Sequence, residues 1–108
     1  MSWIAGASVY SGRPDPTWPI GDDLGARLDG LWASLPPSTA PEPKPSPLGY
    51  RGCLAVSPDG RRWTAYHESV TLLDAAGRLE RRWDASREFE AAVLASAPAG
   101  VLPPWAGA

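Results

Sequence analysis

The chain has one cysteine, Cys53, and one histidine, His67, and no apolar run near the roughly 20 residues that a membrane span needs. A single cysteine excludes an internal disulfide, and a reducing, cytoplasmic compartment is the expectation. One histidine and one cysteine fall short of the three or four nitrogen and sulfur ligands of a typical zinc site, so no metal site is expected. Spaced acidic loops that would hold a hard cation are lacking too. So are glycine-rich phosphate loops of the Walker or dinucleotide type, and no cofactor is expected. The N-terminus, Met1-Ser2-Trp3-Ile4, has no basic segment ahead of a long apolar stretch, which argues against a secretory signal. Neither sign of charge dominates. Ten Lys and Arg against twelve Asp and Glu leave a formal net charge of −2. That balance offers no general attraction to nucleic acid or to an anionic membrane, so neither is expected as a partner.

Two residue types are abundant. The 108 residues include thirteen prolines, where average usage gives about five, and six tryptophans. The prolines concentrate in residues 14–19, 36–47 and 98–104, and the segments between them carry folded periodicities. One domain, residues 1–108, is the expectation. A chain this long buries roughly two thirds of its unfolded surface and holds a core without staples.

Residues 3–10 alternate as a strand that is fairly apolar on both faces, so an interior place in a sheet is expected. Residues 11–19 contain three prolines and read as a stiff loop without regular structure. Leu24, Leu28, Leu31, Trp32 and Leu35 form one continuous helical stripe over residues 22–35, which Pro36-Pro37 ends. Gly25 and Gly30 each cost that helix about 1 kcal/mol relative to Ala. Residues 36–47 form a Pro-rich connector, read as a semi-rigid spacer, with a ligand for a Pro-reading module as the alternative. Residues 53–56, 62–66, 70–73 and 79–83 read as an antiparallel meander, with turns at Ser57-Pro58-Asp59-Gly60, His67-Glu68 and residues 74–78. A second helix covers residues 86–97, with Asp84 or Ser86 as its cap, and residues 99–108 form a tail that packs or frays. The order is β-α-β-β-β-β-α. It predicts an α+β fold, a mainly antiparallel sheet of about five strands with both helices on one face. The opposite face is then open to a partner.

Two segments stand out as site material. Ser11-Gly12-Arg13-Pro14-Asp15-Pro16-Thr17-Trp18 and Leu48-Gly49-Tyr50-Arg51-Gly52 each place an arginine beside glycine at a strand end. Arginine is a rigid five-donor fork suited to carboxylates and phosphates, and Trp18 and Tyr50 add flat surfaces. If the loops meet, Arg13, Trp18, Tyr50 and Arg51 make a binding corner. The plainer alternative is that Arg13 pins its own loop. On the same residues the chain resembles a family of small bacterial proteins that pair an SGRPxPxW-like start with a central LGYRG segment. That family carries no established activity, so the resemblance implies a recurrent folded domain.

Arg61-Arg62 and Arg81-Arg82 precede Trp63 and Trp83 and read as solvated edge charges, or as an Arg/Trp face for single-stranded nucleic acid. His67 and Glu68 are neighbours that point apart on a strand, so an exposed turn histidine is expected rather than a general base. Cys53 reads as a small buried hydrophobe. No catalytic set emerges. The expected function is a non-catalytic binding or accessory domain for a peptide or protein partner, which includes a two-fold homodimer. The alternative is a small cofactor-independent enzyme of specialised metabolism that draws on Tyr50, Arg51, Tyr66, His67 and Glu68.

Overall fold

A strand's side chains alternate between two faces, and the first strand, β1 (Trp3–Ala7), shows what each face is for. Trp3, Ala5 and Ala7 are buried, whereas Ile4 is half-buried. The computed structural model describes residues 2–9, 15–39 and 51–102. Arg13, Tyr50, most of the Pro-rich connector and the end of the tail lie outside the described residues. After β1 come β2 (Thr17–Ile20), α1 (Asp22–Ser34), β3 (Cys53–Val56), β4 (Arg62–Tyr66), β5 (Ser69–Leu73), β6 (Leu79–Trp83) and α2 (Glu88–Ala95). The strands form one antiparallel sheet in the order β2-β1-β3-β4-β5-β6. The fold is therefore α+β, with six strands rather than about five.

The extra strand is β2, which corrects the reading of residues 11–19 as wholly irregular. Its register pairs Ile4 with Pro19 and Ala5 with Trp18, and the Ala7 N–H donates to Pro16 O at 3.2 Å. The bonded pairs are thus the ones at Ala5 and Ala7, and the backbone of Pro19 faces outward, away from β1. Its missing N–H costs the ladder nothing, because an edge strand is where proline is tolerated. β1 lies inside the sheet, as its two apolar faces imply, but it stops at Ala7.

The core lies between the helices and one face of the sheet. Ala5, Ala7, Ala55 and Ala65 sit in the middle strands, and their small side chains let α2 approach β1, β3 and β4. Phe89 and Val93 of α2 are fully buried there. Around them stand tryptophans. Trp3 and Trp63 stack with centroids 5.4 Å apart, and Phe89 lies 6.3 Å from Trp63. Gly25 of α1 lies against the Trp3 indole.

Both helices are tied down by side chains of the strands and of the segments that join them. Arg61 forks onto Asp29 of α1 at 2.9 and 3.2 Å, and its guanidinium covers the Trp63 ring at 4.7 Å. No basic residue occupies the last turn of α1. Arg82 of β6 supplies that cation instead, donating to Trp32 O at 2.7 Å and lying 4.4 Å from the Trp32 ring. For α2, neither expected residue occupies the N-cap, which is Arg87 and makes no side-chain capping bond; the buried Asp84 carboxylate, three residues earlier, accepts from the Phe89 N–H at 2.9 Å instead. The helix starts at Glu88, two residues later than the expected start.

Candidate functional site

The register puts Ile4, Val56, Arg62, Leu73 and Leu79 in one cross-strand row on the face that the helices leave bare. A second row reads Gly6, Leu54, Thr64, Thr71 and Arg81. Tyr66, Ser69 and Trp83 form a third. The large hydrophobic residues that are exposed among the described residues are Leu73 at 40%, Leu79 at 60% and Trp83 at 40%, and all three belong to these rows. Threonine hydroxyls and apolar methyls alternate with guanidinium groups. Such a surface can grip polar backbone and apolar side chains at once.

A groove of about 310 Å³ runs over this face, lined by Ser8, Asp15, Arg51, Tyr66, Ser69 and Thr71 among others. Its far wall is the segment before β2, where Asp15 accepts from the Ser8 hydroxyl at 3.2 Å. A bulge builds its near corner. Arg51 and Gly52 both stand opposite Ser8: the Arg51 N–H donates to Ser8 O at 2.7 Å, and the Ser8 N–H donates to Gly52 O at 2.8 Å. Gly52 has φ +115, and a Cβ there would lie 2.9 Å from Ala65 O. The glycine of the LGYRG segment is thus demanded by backbone geometry, and the bulge places Arg51 at the groove.

The other residues singled out from the sequence land in different places. Trp18 faces the core, not the groove. It is 3% exposed, and its indole N–H donates to the Ser96 hydroxyl at 2.8 Å, which ties β2 to the end of α2. Arg13 and Tyr50 lie outside the described residues. His67 occupies the β4–β5 turn with φ +56, its ring 4.0 Å from that of Tyr66. Glu68 pairs with Arg87 at 3.4 Å. The structure therefore brings Arg51 and Tyr66 to one groove and leaves His67 and Glu68 at a hairpin tip. Cys53 is buried, with its strand's apolar side on the core.

Each basic pair divides between the two faces. Arg61 and Arg82 serve the helices, whereas Arg62 and Arg81 share the open face with Leu73 and Thr71. Their tryptophans separate as well, for Trp63 is fully buried and Trp83 is exposed. Period-two alternation carries this signal, which neighbouring residues in sequence obscure. Away from the groove, the hydroxyl of Ser57 and then Arg61 hold the Asp59 carboxyl below the usual carboxylate range. The Asp29 carboxylate raises the pKa of Arg61 in turn.

The two sheet edges offer less than the face. The outer edge of β6 is already used by residues 36–38: the Trp83 N–H donates to Pro36 O at 2.9 Å, and the Ser38 N–H donates to Arg81 O at 3.1 Å. The outer edge of β2 lacks the Pro19 donor. Among the described residues, no helix is long and apolar enough to cross a membrane. No protein family, curated protein or solved structure matches the chain.

Proposed function

We propose that this protein is a non-catalytic binding domain that holds a peptide or protein partner against the open face of its sheet. The observation that carries this reading is the placement of Leu73, Leu79 and Trp83. They are exposed together on the one face that the helices leave bare. Exposed apolar side chains that share a polar-rimmed surface mark interaction sites, whereas single scattered ones do not. Strand addition, which also serves peptide binding, finds one edge occupied and the other short of a donor. The face itself is the better docking element.

A second copy of the chain fits this face less well than a foreign partner. Two-fold pairing sets a surface against itself, so each copy would bring the exposed Arg62 guanidinium into the same interface. The test is isolation of the tagged full chain from its own cells, compared with a Leu73→Asp/Leu79→Asp variant of equal stability. The expected result is a stoichiometric protein partner with the unchanged chain and its loss with the variant. A partner that stays with the variant, or a chain that is alone in both, overturns the reading.

A further inference from the structure

We infer that Asp29-Gly30 and Asp59-Gly60 are the sites at which this chain forms isoaspartate, and that Arg61 protects both by holding their carboxylates. The sequence contains no asparagine, and these are its two Asp-Gly pairs. An aspartate followed by glycine is the pair most open to ring closure, because glycine has no Cβ to shield its nitrogen. The two pairs lie far apart in sequence, one in α1 and one in the turn between β3 and β4. One guanidinium meets both. Arg61 donates from its two terminal nitrogens to the Asp29 carboxylate at 2.9 and 3.2 Å. Its Nε donates to both oxygens of Asp59 at 3.2 and 3.1 Å.

The reaction sets its own requirements. The backbone nitrogen of the glycine attacks the aspartate Cγ, a C–N bond forms, and the acid's hydroxyl leaves as water with the nitrogen's proton. Water then opens the succinimide at either carbonyl, which returns aspartate or gives isoaspartate. The carboxyl must therefore be protonated and turned to its own backbone, and the glycine N–H must be free. At residue 59, the Ser57 hydroxyl, which donates to the carboxylate, and then Arg61 hold the carboxyl below the usual carboxylate range and so keep it ionised. The Gly60 N–H is taken by Ser57 O at 3.1 Å. At residue 29, Arg61 engages both carboxylate oxygens, and the Gly30 N–H belongs to the backbone ladder of α1.

Hydrogen bonding is the safeguard because burial is not. The side chains of Asp29 and Asp59 are 42% and 63% exposed, so water reaches both. Isoaspartate carries its side-chain methylene into the backbone, which interrupts the α1 ladder at residue 29 and lengthens the turn at residue 59. Either change moves a carboxylate off Arg61, whose fork ties α1 to the sheet.

The test follows the folded full chain in heavy-oxygen water near neutral pH. Each passage through the ring leaves a heavy oxygen in the residue. Trypsin, applied afterwards in ordinary water, puts residues 28–51 and 52–61 in separate peptides for mass analysis. The unchanged chain is compared with Arg61→Ala and with Asp84→Ala, which weakens the start of α2 but keeps Arg61. Urea brings all of them to equal stability, so global unfolding contributes alike. Arg61→Ala is expected to take up label roughly threefold faster in both peptides, the scale of a part-exposed ion pair. Asp84→Ala is expected to match the unchanged chain. Gly30→Ala, for which α1 has room, is expected to remove the label at residue 29 alone. Equal uptake by Arg61→Ala and Asp84→Ala overturns the inference, and so does a rise in only one of the two peptides. Arg61→Lys, which keeps the charge but loses the fork, is expected to raise uptake in both peptides and is read in the same way if the alanine chain does not fold.

Discussion

Gly25 of α1 lies so close to the Trp3 indole that a Cβ on it would fall 2.2 Å from Trp3 Cε2. This contact sets how near the first helix comes to the sheet. Five residues on, Gly30 has nothing within 4 Å of the same position. The two glycines share a helix and a helix-propensity cost, yet they predict opposite outcomes. Gly25→Ala should destabilise by about 2 kcal/mol, because overpacking outweighs the propensity gained. Gly30→Ala should stabilise by about 0.5–1 kcal/mol. Urea unfolding of both variants checks the pair.

Acid unfolding should feel Asp59. Its carboxyl is held below the usual carboxylate range by the Ser57 hydroxyl and by Arg61. A depressed folded value means stability that is present above the unfolded carboxylate value and lost as pH falls through the folded one. Asp59→Asn should flatten the acid limb of the stability curve below about pH 4 while changing it little near neutrality in slope. Thermal midpoints measured from pH 2 to 7 report this.

Asp84 is 3% exposed and accepts from the Phe89 N–H at the start of α2. Asp84→Ala leaves that donor buried and unsatisfied. The expected loss is about 2 kcal/mol, of which Asp84→Asn recovers a part because its carbonyl still accepts. Amide exchange at Phe89 should quicken in the alanine variant before global unfolding does.

Gly52 carries φ +115 and has Ala65 O at 2.9 Å from any added Cβ. Gly52→Ala should cost about 2 kcal/mol and loosen the bulge that holds Arg51 at the groove. Loss of protection at the Arg51 and Ser8 amides, which bond across the bulge, is the local readout.

Much of this architecture is legible in the sequence because its signals are local. The stripe from Leu24 to Trp32 lies in α1, with Leu35 as its C-cap, and Ser57-Pro58-Asp59-Gly60 turns between β3 and β4 as expected. Residues 17–20 were less legible, since proline argues against a strand unless the strand is known to be an edge, and edges are decided by tertiary pairing. The site is harder still. Arg51 could be named from its glycine neighbour, but the roles of Arg62, Thr64, Thr71 and Arg81 depend on which face the helices cover. The sequence places Trp18 in the binding corner, whereas its pairing in β2 buries it in the core, with its indole N–H on the distant Ser96.

The central claim is that a partner docks on the open face. The most direct measurement places a photo-crosslinking amino acid at Thr64, in the middle of that face, or at Arg27, exposed on α1, and illuminates the full chain in its own cells. Docking on the open face predicts a discrete protein adduct from position 64 and none from position 27. An adduct from position 27 with none from position 64 would contradict it.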